Sequence, residues 1–142
     1  MAETNRYKAR ELVLKGLYAL ECGEITGDKI IEDIVTDDTL PDKIIEFARN
    51  YFHLVKEHGS NADREITSLA ENWEFKRIAE IDKIILRMAI TEIDKMPDIP
   101  FKVTINEAIE LAKKFSTEKS SGFINGILDN FHKLRMQKES GH

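Results

Sequence analysis

Apolar residues recur at the three- and four-residue spacing of an α-helix through most of the 142-residue chain. Runs that alternate at period two are few, and only three prolines interrupt the pattern. The most apolar segment, IAEIDKIILRMAITEIDKM, carries Ile, Leu and Met on more than one stripe, which predicts a helix at the centre of the fold. The pattern predicts an all-α protein of about seven helices in two small bundles that share a core.

Glycine and proline residues mark the expected helix boundaries. The first helix should end at Gly23, a common residue just after a helix. A longer helix should begin at Pro41 and end at Gly59, and Ser60 should cap a short one after it. Thr104 and Glu107 have the spacing of a capping box, although that helix has a second candidate start near residue 101. The expected helices are 5–22, 28–35, 41–59, 60–69, 78–96, 104–115 (or from about 101) and 120–135.

Charge and cysteine content narrow the class of protein. The net charge of −5 argues weakly against a generic nucleic-acid binder, but residues 101–138 hold seven Lys and Arg against four Asp and Glu. An acidic protein can bind RNA if its cations converge on one face. A single cysteine excludes an internal disulfide, and no secretory signal or apolar run of about 18 residues is present. These features predict a protein of a reducing cytoplasm.

The first helix carries apolar residues on two faces. Its core stripe includes Val13 and Leu17, whereas Tyr7, Leu14 and Tyr18 fall on nearly the opposite side. Two interpretations remain open: both faces are packed inside the chain, or the second face meets a partner such as a second copy.

Two glycines open the last expected helix, in SSGFINGILDNF. Gly122 and Gly126 lie beside its apolar stripe, so they leave bare backbone along one flank. Close packing of a neighbouring helix and close approach of a ligand both explain such a flank. The free N–H groups of a helix start suit a phosphate, and Phe123 is placed to stack on a base.

Motifs of common enzymes are absent. The sequence has no GxxxxGK[ST] phosphate loop, no HExxH zinc motif and no evident histidine partner for Cys22. An enzyme is therefore the least expected class, and no cofactor or metal is predicted.

Three segments together resemble the family of the transcription antitermination protein NusB. They are RYKARELVLKGLY, EIDKIILRMAITEI and IPFKVTINEAIELAKKFSTEKSSGFINGILD, and the resemblance spans the whole chain in order. It implies one NusB-like domain over 1–142, with three-helix bundles over about 5–70 and about 74–136. It also implies a non-enzymatic protein that binds boxA RNA with the small-subunit ribosomal protein NusE. That pair would help RNA polymerase read through terminators, notably in ribosomal RNA operons.

The resemblance also carries over residue roles. Tyr18 and Asp82 match family positions that contact NusE. The N-terminal segment has fewer basic residues than in other members, because Tyr7 stands where a further basic residue is often found. The positions that match RNA-contacting ones are Arg6, Lys8, Arg10, Lys119, Ser120, Phe123 and Asn125.

Two further hypotheses stay open. The net charge and the thin N-terminal cluster favour a helical adaptor that binds proteins, with RNA held mainly by its partner. The second apolar face of the first helix favours a homodimer that hides the RNA-binding face.

Overall fold

The described part of the chain in this computed structural model is all-helical. It comprises residues 4–23, 29, 32, 40–70 and 75–140, and no strand occurs within these ranges. They form five α-helices and one 3-10 turn, fewer than the expected seven. The bounds are α1, Asn5–Glu21; α2, Asp42–Leu69; the 3-10 turn, Phe75–Arg77; α3, Glu80–Lys95; α4, Phe101–Phe115; and α5, Glu118–Ser140. The all-α prediction is confirmed, and the acidic helix predicted near 28–35 lies largely outside the described residues.

The chain divides into two compact units, 1–57 and 58–142, and the division falls inside α2. The first unit contains α1 and the first half of α2. In the second unit α3, α4 and α5 pack pairwise against one another. None of the described helices is long and apolar enough to cross a membrane.

Helix α1 has the predicted ends. The Tyr7 N–H donates to the Thr4 hydroxyl oxygen at 3.1 Å, which satisfies one N–H of the first turn. Gly23 follows the helix with φ of 71°, a left-handed conformation that favours glycine. Tyr7 and Leu14 are buried, and only Tyr18 of the second apolar face is exposed, at 42%. Tyr7 and Leu14 are therefore packed within the chain, whereas Tyr18 stays accessible.

The predicted helix end at Gly59 is wrong. Helix α2 runs unbroken through Gly59 to Leu69. Val55, Ala62 and Ile66 are all buried, so the core-facing stripe continues on both sides of the glycine. An interior glycine costs about 1 kcal/mol relative to alanine, whereas burying a Val or Ile side chain stabilises by about 1.5–3 kcal/mol. Burial therefore outweighs the glycine, and two predicted helices are one.

In the second unit, α3 is buried on more than one side, as its sequence predicts, and two helix boundaries differ from the expected ones. Ile84, Ile85 and Leu86 of α3 are fully buried, which agrees with stripes on more than one side. Helix α4 begins at Phe101 after Pro100, the second of the two starts considered. The Thr104 side chain is buried and donates to a Glu92 carboxylate oxygen on α3 instead of capping α4. Helix α5 continues past the predicted end near residue 135 to Ser140.

Candidate nucleic-acid interface

The basic residues near the N-terminus lie in the first turns of α1. Arg6 and Lys8 are exposed, and both stand next to a helix start whose N–H groups favour anions. Arg10 differs from the expectation for a phosphate ligand, because only 2% of its surface is exposed. The Cζ atoms of Arg6 and Arg10 lie 4.6 and 5.5 Å from the centroid of the Phe47 ring. The first unit thus presents two exposed cations, Arg6 and Lys8, whereas Arg10 is buried.

A network of hydroxyl groups builds the start of α5. The Ser120 backbone N–H donates to the Thr117 hydroxyl oxygen at 3.0 Å, an N-terminal cap. The Ser116 and Thr117 hydroxyls donate to the Ser120 hydroxyl oxygen at 2.9 and 3.1 Å. Ser120 in turn donates to the Asp82 carboxylate on α3 at 2.7 Å. Asp82 and Ser120 are both buried, so this network ties the first turn of α5 to α3.

A cavity of about 280 Å³ lies beside this network. Lys119 is exposed at its edge, and the Phe123 side chain is half-buried in its wall. Asp82 also lines it, and within the described residues its Oδ1 atom is buried without a hydrogen-bond partner. Arg77, Ile78, Ala79, Asp82, Lys119, Ser120 and Phe123 line the cavity. Cations, an aromatic ring and a buried acceptor meet there, which is the chemistry that recognises an unstacked base and its phosphate.

The two glycines of α5 lie on its exposed surface, with Asn125 exposed between them. A Cβ atom built on Gly122 or Gly126 meets no atom of the described residues within 4 Å. No helix of the described chain therefore packs closely against them, which removes the internal packing interpretation. The two glycines therefore leave bare helix backbone on one flank of α5, next to Lys119 and Phe123.

The two residues matched to the protein partner occupy different surroundings. Tyr18 is exposed on α1, as a contact residue requires. Asp82 is only 5% exposed and binds Ser120, a residue matched to RNA contact. The structure thus groups Asp82 with Lys119, Ser120 and Phe123 rather than on an open surface of its own.

Arg77 is a residue that sequence reasoning missed. It ends the 3-10 turn, is exposed, and lines the same cavity as Lys119 and Phe123. The available signal was a basic pair, Lys76 and Arg77, directly before the most apolar helix. Arg77 is 42 residues from Lys119 in sequence, so only the fold brings them together.

No group of His, Cys, Asp and Glu side chains in the described ranges has the arrangement of a metal site. Cys22 is exposed, and no disulfide involves it.

Comparison with known proteins identifies the family. The model of the NusB family matches residues 7–133, which is most of the chain. The transcription antitermination protein NusB of Chloroherpeton thalassium is 43% identical over 126 residues, 88% of this chain and 60% of the relative. The chain thus spans less than two thirds of that relative's length. The chain belongs to the NusB family, a family of transcription antitermination proteins and not of enzymes.

Two solved structures share the fold. T. maritima NusB is 38% identical with a TM-score of 0.83, and the match covers 93% of each chain. A crystal structure of antitermination factors NusB and NusE in complex with dsRNA has a TM-score of 0.80 and covers 92% of this chain and 97% of that one. At 19% identity, the second comparison shows the fold alone.

Proposed function

We propose that the chain is a non-enzymatic, RNA-binding transcription antitermination factor of the cytoplasm. It binds boxA RNA together with NusE, joins the antitermination complex of RNA polymerase, and promotes read-through, notably of ribosomal RNA operons. Membership of the NusB family supports the class. The observation that carries the RNA-binding part is the cavity at the start of α5, where Lys119 and Phe123 stand beside the hydroxyl network.

Each side chain at the start of α5 has a distinct role in this proposal. Lys119 and Asn125 are exposed and contact the RNA directly, with the ammonium group of Lys119 on a phosphate. Phe123 stacks on a base, an interaction worth about 1–3 kcal/mol. Ser120 is buried, so its main contribution is to hold the first turn of α5 on Asp82.

The first unit contributes further contacts. Arg6 and Lys8 are exposed and bind phosphates, whereas Arg10 is buried and lies against the same Phe47 ring as Arg6. Tyr18 is the exposed aromatic residue offered to NusE. Asp82 contributes to NusE binding indirectly, by holding the start of α5 in place through Ser120, because little of its own surface is exposed.

The salt dependence of RNA binding tests the role of Lys119. Lys119→Ala should weaken boxA binding and reduce the log–log salt slope by about 0.7, because one fewer counterion is released from single-stranded RNA. Lys133→Ala is the matched control: Lys133 lies on the same helix, is exposed, and pairs with Asp129 at 3.1 Å. It stands about 21 Å further along α5. Equal slopes for both variants would refute the Lys119 contact.

A protein-binding adaptor is the second candidate function. The net charge of −5 and the burial of Arg10 favour it, since both reduce the positive surface available to RNA. In this case NusE would provide most RNA contacts. Arg6→Ala and Lys8→Ala would then leave the affinity of the complex for boxA RNA unchanged.

A further inference from the structure

Two arginines of α1, one turn apart, lie against the same aromatic ring of α2. The Arg6 Cζ atom is 4.6 Å from the centroid of Phe47, and the Arg10 Cζ atom is 5.5 Å from it. Phe47 in turn meets Tyr51 edge to face, with centroids 5.7 Å apart and ring planes at 74°. Tyr51 is fully buried. The ring under the arginines is therefore anchored on a core residue of the first unit.

The two guanidinium groups differ in exposure. Arg10 is buried, whereas Arg6 is exposed on the surface of α1. A guanidinium group is planar and weakly hydrated, so it rests on an aromatic face while its N–H groups still point towards an acceptor. Contact with Phe47 thus restricts the rotamers of an exposed arginine and leaves its charge in place.

We propose that Phe47 is a positioning residue of the RNA interface, which holds the Arg6 guanidinium ready for a phosphate of the RNA. This inference rests on the proposed function. A long side chain that is already ordered loses less conformational entropy when it binds. Phe47 itself touches no RNA in this account; it acts through Arg6, and a lysine at position 6 would lack the planar fork.

Four variants test the proposal by RNA binding. Phe47→Leu keeps an apolar side chain but removes the aromatic face, and it should weaken boxA binding about two- to fivefold. The salt slope should stay unchanged, because the charge of Arg6 remains. Phe47→Tyr keeps the face and should restore wild-type affinity. In a protein that already carries Arg6→Ala, Phe47→Leu should cause no further loss.

Nuclear magnetic resonance of the free protein gives a second readout that needs no RNA. In the wild type, the Arg6 δ-methylene protons should be shifted upfield by the ring current of Phe47, and the Arg6 Nε–H should show restricted motion. Both features should be lost in Phe47→Leu and kept in Phe47→Tyr. Circular dichroism of each variant confirms that α1 and α2 are still folded.

The outcomes distinguish a failure of the proposed function from a failure of the role proposed for Phe47. A wild-type protein that does not distinguish boxA from scrambled RNA contradicts the proposed function. The role of Phe47 is overturned on its own if wild-type protein binds boxA but Phe47→Leu weakens binding equally with and without Arg6. Unchanged Arg6 resonances in Phe47→Leu would overturn it too.

Discussion

Replacing Gly126 by alanine should stabilise the protein and weaken RNA binding at the same time. Gly126 lies inside α5, is exposed, and meets no described atom within 4 Å of an added Cβ. Among the described residues only Gly23 has a positive φ, so alanine fits the backbone of Gly126 without strain. No contact within the described chain therefore requires a glycine at position 126, and the proposed function accounts for its bare backbone by a close approach of RNA.

The expected magnitudes follow from these contacts. Alanine in a helix interior is more stable than glycine by about 1 kcal/mol, which raises the Tm of a chain of this length by about 3 °C. If RNA rests on the backbone at Gly126, the added methyl group must be accommodated at a cost of about 1–3 kcal/mol, as in an overpacked core. That cost corresponds to about five- to 150-fold weaker binding.

Gly59→Ala is the matched control. Gly59 lies inside α2, and among the described residues its added Cβ would meet only the Arg87 side chain, at 4.0 Å. This variant should gain similar stability with no change in RNA affinity. Thermal unfolding followed by circular dichroism and RNA binding followed by fluorescence anisotropy give the two readouts. Gly126→Ala with higher Tm and unchanged affinity for boxA would refute the close approach of RNA at this helix.

Three further outcomes are expected. Tyr18→Ala should weaken NusE binding with little change in the free energy of unfolding, because Tyr18 is 42% exposed. Tyr7→Ala should instead destabilise the fold by about 3 kcal/mol, because Tyr7 is buried. Urea unfolding that finds Tyr18→Ala the more destabilising variant would contradict this. Thr104→Val should destabilise the fold by about 1–3 kcal/mol, because the buried Glu92 carboxylate loses a hydrogen-bond donor. An unchanged midpoint of urea unfolding would show that the hydrogen bond between Thr104 and Glu92 contributes little. Sedimentation at micromolar concentration should show a monomer. Of the second apolar face that motivated the homodimer hypothesis, Tyr7 and Leu14 are buried within the chain and only Tyr18 is exposed. A concentration-dependent dimer would support that hypothesis again.

The sequence predicted the helices whose apolar pattern is strong, and it failed where packing overrides a local signal. α1 and α3 lie within one or two residues of their expected bounds, because their stripes and the residues that end them agree. Gly59 has the local signature of a helix end, but buried neighbours on both sides keep α2 continuous. Thr104 has the signature of a cap, but its hydroxyl binds Glu92 on another helix. Burial of neighbours along the same helix decides the first case, and a hydrogen bond to another helix decides the second.

At the candidate interface, too, the sequence predicts features of a single helix but not contacts between helices. Lys119, Phe123 and Asn125 were predicted on the accessible part of α5, and the structure places them at least partly exposed there. Ser120 and Asp82 were assigned to different partners, yet they bind each other across 38 positions of sequence. Helical spacing cannot reveal such a pair, because it relates only residues of the same helix. Their roles in RNA and NusE binding stay predictions, as do those of the exposed residues.

The most direct test of the proposed function is the affinity for boxA RNA, measured by fluorescence anisotropy with the chain alone and with its own NusE. A scrambled RNA of the same length is the control. The account predicts binding that is tighter with NusE present and selective for boxA over the scrambled sequence. Equal, weak binding to both RNAs, with and without NusE, would leave the NusB fold in place and contradict the function proposed for it.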